Sequence, residues 1–128
     1  MDQKNQQELM VRFSQCRYQD GAASYDKADC AGATQIILRD YAKLSLPEDR
    51  TTWIAYFDVL PWPTELKDFD VLLMAKDNAL GLTDHMAVHI GDNYIVHLPK
   101  ENTGMICERL NRYQSKILHI ARIKSLDH

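Results

Sequence analysis

Residues 85–98 read HMAVHIGDNYIVHL, two alternating runs on either side of Gly91-Asp92-Asn93. A period of two is the pattern of half-buried strands, and the residues between the runs carry turn chemistry, so the stretch predicts a β-hairpin. Burial then selects its register. With a three-residue turn, Ile90 faces Tyr94, Val88 faces Val96 and Met86 faces Leu98, an apolar face throughout. A two-residue turn would set polar residues against apolar ones. In the selected register His85, Ala87, His89, Ile95 and His97 share the opposite face. His85 and His97 become diagonal neighbours, roughly 7–8 Å apart by ordinary cross-strand spacing and within reach for long side chains.

Working outward, Met105–Leu110 and Lys116–Ile123 read as two further strands, the second alternating Ile117, His119, Ala121 and Ile123. Before the hairpin, Phe69–Met74 is a short apolar run that reads as a buried strand, and Lys76–Asp84 as a loop. Residues 48–68, with Trp53 and the run Leu60-Pro61-Trp62-Pro63, read as a segment pinned by packing rather than a regular element. Asp29–Lys43 is helical in pattern, with Ala33, Ile36, Ile37, Asp40 and Tyr41 marking its faces and Leu46-Pro47 closing the unit. Asp29 suits its N-cap, since a carboxylate there accepts the first-turn amides. Residues 6–17 carry Leu9, Met10, Phe13 and Cys16 at helical spacing, and 18–27 read as a loop. Helices first and antiparallel strands afterwards is the α+β order.

The 128 residues suit one domain spanning 1–128, large enough to bury roughly two-thirds of its unfolded surface. Acids and bases are interspersed with a net charge of −3, which argues against nucleic-acid and anionic-membrane partners. Nothing approaches the roughly 20 apolar residues that span a bilayer, so no membrane insertion is expected. Met1–Glu8 is polar where a signal peptide would be apolar, so synthesis and folding in the cytoplasm are expected, unless another machine exports the protein. Cys16, Cys30 and Cys107 form neither a disulfide framework nor a CxxC pair, and they read as reduced thiols, Cys16 and Cys107 within the core.

Cys30 opens a predicted helix directly after a loop. A thiol there feels the positive end of the helix dipole, which lowers its pKa and favours the nucleophilic thiolate. Such a nucleophile needs a base in reach and a group to orient that base. His85 can serve as base and His97 as orienter. A packed structural thiol fits the same pattern.

The quartet Asp29-Cys30-Ala31-Gly32, followed by a helix and Leu46-Pro47, resembles the nucleophile motif of the NlpC-type cell-wall peptidases, a papain-like family. A tyrosine and a glycine precede that motif, as Tyr18 and Gly21 do here. HMAVHIGDNYIVHL resembles the family's later motif, with His85 in the base position and His97 in the third. The tail Thr103–Ile123, with Glu108-Arg109-Leu110, fits as well, so the likeness covers about residues 9–123. It is greatest to the small domains of long-tailed phage tail-tip proteins.

The resemblance implies an α+β, papain-like NlpC-type fold, its N-terminal helices packed on an antiparallel sheet. It implies Cys30 as nucleophile, His85 as base, His97 as orienter, Tyr18 as oxyanion donor, and Asp29 as cap and substrate contact. It implies hydrolysis of peptidoglycan stem peptides, typically at the γ-D-glutamyl–diaminopimelate bond, with no cofactor and no metal. The implied partners are the stem peptide and phage tail-tip proteins, with the domain carried in a virion tail or delivered to the wall. Ala31 replaces a common serine, Phe69-Asp70 a Gly-Asp pair, and Gly21-Ala22 a Gly-Gly. The alternatives are a non-catalytic tail or adaptor protein of the same fold, an interbacterial amidase toxin, and a zinc site of Cys30, His85, His89 and His97.

Overall fold

The computed structural model describes residues 1–76, 81, 83–101 and 103–124. The loop expected at Lys76–Asp84 lies mostly outside them. The chain runs through helix α1 (Gln3–Arg12), a short parallel pair β1 (Arg17–Tyr18) and β2 (Lys27–Ala28), and helix α2 (Cys30–Tyr41). A 3-10 helix at Arg50–Tyr56 leads into β3 (Phe57–Pro61), followed by β4 (Val71–Met74), β5 (His85–Gly91), β6 (Tyr94–His97) and β7 (Ile106–Arg109). A second 3-10 helix, Leu110–Lys116, leads into β8 (Ile117–Ile123). Strands β3 to β8 form one antiparallel sheet in the order β3-β8-β4-β5-β6-β7. The expected α+β order is therefore present, helices first and sheet after.

The alternation in β5 and β6 divides their side chains between two apolar layers. Val88, Ile90, Val96 and Leu98 pack against Leu9, Phe13, Ile36 and Ile37 of the helical layer. Ala87 and Ile95 point the other way, onto Leu72, Ile120, Leu110 and Tyr113. Both faces are covered, which explains why this hairpin is buried along most of its length.

The hairpin register is the one burial selects, with Val88 opposite Val96 and His89 opposite Ile95. Its turn is shorter than expected. Asp92 and Asn93 alone form it, both with positive φ (52° and 62°), while Gly91 pairs with Tyr94. Asp and Asn tolerate the left-handed conformation that a two-residue hairpin turn requires. The extra residue is absorbed as a bulge between His89 and Gly91, so Ile90 stays buried.

Three N-terminal expectations change. Asp2 accepts the Asn5 amide, so α1 starts at Gln3 rather than residue 6. It ends at Arg12 because the carbonyls of Phe13 and Cys16 turn away to accept the amides of Met105 and Gly104. The loop expected at 18–27 is bounded by the β1–β2 pair. In 48–68, the segment expected to be irregular contains both the 3-10 helix and β3. Strand β3 is an edge strand in which Phe57 is buried but Asp58 and Val59 are exposed, and it ends in Pro61. An edge strand needs neither apolar alternation nor every amide, so its sequence signal is weak. Helix α2 matches expectation closely, with Asp29 as its cap.

Candidate active site

The start of α2 is held by its own cap. Asp29 accepts the Gly32 amide on Oδ1 (2.7 Å), and on Oδ2 it accepts the Gly21 amide (2.8 Å) and Nη1 of Arg50 (2.6 Å). Burial alone would raise this carboxyl, but Arg50 and the two amides outweigh it and hold it below the ordinary carboxylate range. The loop carrying Gly21 and Ala22 lies directly on the first helical turn. A Cβ on Gly32 would stand 2.0 Å from the Ala22 carbonyl oxygen, so only glycine fits. Cap and loop together fix the backbone of Cys30.

Two elements meet the half-buried Cys30. From β1, the Tyr18 hydroxyl lies against the Cys30 amide. Burial and the neighbouring Cys30, Asp29 and Asp20 push the Tyr18 hydroxyl up to about 12, so it stays protonated and able to donate at neutral pH. From β5, the Met86 amide reaches the Cys30 thiol, which places His85 one residue from the point of contact. Burial pushes the thiol up from its ordinary value, only partly offset by hydrogen bonds from the Met86 and Ala31 amides and by the Arg50 charge. This runs against the expectation that a helix N-terminus would depress it: burial, with the neighbouring Asp29 charge, outweighs the amide hydrogen bonds and the Arg50 charge.

The histidine pair is closer than cross-strand spacing required. His85 Nε2 and His97 Nδ1 are 2.8 Å apart, the rings packed edge to face with centroids 5.0 Å apart. Both are buried, at 6% and 2% exposure. On its far side, His97 Nε2 meets Glu108 Oε2 at 2.7 Å. Glu108 also accepts from the Tyr113 hydroxyl (3.1 Å) and from Arg112 Nη1 (3.2 Å). Burial would raise Glu108, but His97, Tyr113 and Arg112 hold it below its ordinary value. Burial lowers His97 despite Glu108, which favours its neutral form.

The structure thus groups Tyr18, Asp29 and Cys30 at one helix start, with His85 and His97 joined beside them. Asp29 is 7% exposed, and both its carboxylate oxygens are engaged within the protein. His89 lies apart, its Nδ1 at the Lys67 carbonyl oxygen (2.9 Å) and its Nε2 accepting from the Asn93 amide. Among the described residues no three His, Cys, Asp or Glu side chains are grouped to hold a metal ion. A cleft of about 130 Å³, lined by Tyr18, Lys76, Asp84, His85 and Lys100, opens onto the site. A second, apolar groove of about 190 Å³ includes Arg50, Trp53, Phe57 and Met86. Two residues escaped the sequence reading. Arg50 belongs to the segment read as irregular. Glu108 shows its signal only once β7 is aligned on β6, opposite Ile95 and therefore on the histidine face.

The family model "NlpC/P60 family" matches residues 15–122. Among solved structures, the NlpC/p60 domain of the peptidoglycan hydrolase SagA superposes with a TM-score of 0.69 at 13% identity, covering 96% of this chain and 100% of that one. NlpC2 from Trichomonas vaginalis superposes with a TM-score of 0.71 at 14% identity, covering 92% of this chain and 44% of that one. An NlpC/P60 family protein from Bacillus cereus does so with a TM-score of 0.64 at 23% identity, over 84% and 35%. The chain therefore spans the whole SagA domain but under half of the other two proteins. No curated protein matches the sequence. At these identities the superpositions establish the fold, while the sequence match, which takes in the cysteine helix and both histidine strands, establishes kinship: the chain belongs to the NlpC/P60 family.

Proposed function

We propose that the protein is a cysteine peptidase that hydrolyses peptidoglycan stem peptides, with Cys30 as nucleophile, His85 as general base and acid, and His97 as the group that orients His85. The observation that carries this reading is the buried His85–His97 hydrogen bond, set beside a thiol that the next residue's amide already touches. The thiol is raised by burial, so a neighbouring base is needed to produce the thiolate at neutral pH.

His85 takes the Cys30 proton and becomes imidazolium. The thiolate adds to the scissile carbonyl carbon, and the oxyanion forms at the start of α2, where it displaces the Tyr18 oxygen as acceptor of the Cys30 amide and takes the Tyr18 hydroxyl as a second donor. Donors placed in advance at that point stabilise the charge as it develops. The tetrahedral species collapses, the C–N bond breaks, and His85 returns its proton to the leaving amine. Water activated by His85 then adds to the thioester, and Cys30 leaves with the proton. No step calls for a metal or cofactor.

The family and the peptidoglycan hydrolase SagA among the structural neighbours support the substrate class. The γ-D-glutamyl–diaminopimelate bond is the proposed target, and a phage tail, delivering the domain to the wall, is the proposed setting. Lys100 at the cleft suits a carboxylate of such stem peptides, while Lys76 there is paired with Glu101 (2.9 Å) and Asp84 lines the same cleft. Mass spectrometry of digested peptidoglycan tests the bond. The reading expects fragments ending in D-glutamate paired with fragments bearing a new diaminopimelate amine. Fragments cut only in the glycan, or only at the L-alanine amide, would refute it.

A further inference from the structure

We propose that Glu108 is a positioning residue for this chemistry, which fixes the tautomers of both histidines through His97. The inference rests on the reading of Cys30, His85 and His97 given above. An ionised carboxylate only accepts hydrogen bonds, so the proton in the 2.7 Å contact between His97 Nε2 and Glu108 Oε2 belongs to His97. A neutral imidazole carries one N–H. His97 Nδ1 must then accept, and the proton in the 2.8 Å contact between the rings belongs to His85 Nε2. That leaves the lone pair of His85 on Nδ1, the nitrogen able to take a thiol proton. The opposite chain of tautomers would put a proton on Nδ1 and disable His85 as a base.

The surroundings of Glu108 fit this role better than that of a surface ion pair. Its Oε2 meets the fully buried His97 and the hydroxyl of buried Tyr113, whose ring packs on His97 at 5.3 Å. Arg112, on the other oxygen, is 75% exposed and sits in the weak i,i+4 geometry of surface pairs. The charged and titratable groups facing the pair are Arg112 and Tyr113 from the 3-10 helix, His85 from β5, and Lys76 from the segment just after β4. Arg112 and Lys76 oppose charge on His97, and Glu108 is the group that favours it.

The test is the pH profile of Cys30 alkylation by iodoacetamide, read peptide by peptide in the mass spectrometer for wild type, Glu108→Gln, His97→Asn and the double variant. It needs no substrate, so an error about peptidoglycan would leave its outcome unchanged. Glutamine keeps the shape but removes the charge, so even with its oxygen toward His97 it holds the Nε2 proton less firmly than the carboxylate does. Glu108→Gln is expected to move the alkylation midpoint upward by about half a pH unit or more, slowing the reaction at pH 7 by at least about threefold. In the His97→Asn background the same change is expected to add nothing, because its path runs through His97. A wild-type profile for Glu108→Gln would overturn the proposal, as would an equal shift in both backgrounds. If Glu108→Gln does not fold, histidine 15N–1H spectra of the wild type decide the matter. Protonated Nε2 on both His85 and His97 is expected, and protonated Nδ1 on His97 would overturn the assignment.

Discussion

At the position of Cys30 two influences oppose each other. The first turn of α2 offers amide donors that stabilise a thiolate, while the packing that holds the turn in place removes the water a thiolate would need. Burial is the larger of the two, so the resting site favours the neutral thiol, and under the proposed mechanism the proton passes to His85. Tyr18 shows the same balance from the other side: burial keeps its hydroxyl protonated up to about 12, which preserves it as a donor. Tyr18→Phe removes that donor and little else from a half-buried ring. It is expected to lower kcat by about 10- to 100-fold with KM nearly unchanged, by the usual worth of one oxyanion donor. Steady-state kinetics check this, and an unchanged kcat would remove Tyr18 from the mechanism. Cys30 and the histidine pair were legible in sequence because a helix cap and a strand alternation mark their positions, whereas Tyr18 was singled out only by the family resemblance. The sign of the thiol shift was not legible, because burial is a property of the packed molecule.

At the scale of elements, the hairpin and α2 could be read because each has an independent local signal. Alternation fixes one, and Asp29 followed by an apolar stripe fixes the other. Strand β3 has neither, being an edge with exposed Asp58 and Val59, and its pairing with β8 shows only in three dimensions. Glu108 was hidden for a related reason, since its face is set by the alignment of β7 on β6. The loop over α2 is the element on which the site depends most. Gly32→Ala would drive a methyl group into the Ala22 carbonyl oxygen, at 2.0 Å from backbone that cannot swing away. The variant is expected to lose about 2 kcal/mol or more of stability, measured by urea unfolding. A wild-type midpoint would mean that the loop does not bear on the helix in solution.

For the molecule as a whole, one sheet covered on both faces carries the site at the junction of its two layers. The start of α2 supplies Cys30 and its cap, and strands β5 and β6 supply His85 and His97. No helix among the described residues is long and apolar enough to cross a membrane. Whole-molecule stability should fall in acid. Asp29 and Glu108 are held below their ordinary values of 3.8 and 4.5, so their contribution is complete above those values and is lost as pH falls through the folded ones. Asp29→Asn is expected to cost about 1–3 kcal/mol at neutral pH, with the gap from wild type narrowing as pH drops below 3.8. Thermal melts across pH read this directly, and a gap independent of pH would show that the charge of Asp29 contributes nothing.

The central claim is that this site is a cysteine-dependent hydrolase of the bacterial wall. Incubating purified peptidoglycan with wild type and with Cys30→Ala, and comparing the soluble fragments by mass, tests it most directly. Wild type is expected to release stem-peptide fragments, and the variant, still folded, at least about a thousandfold fewer, as loss of a nucleophile entails. Equal release by both proteins, or none by either, would contradict the account.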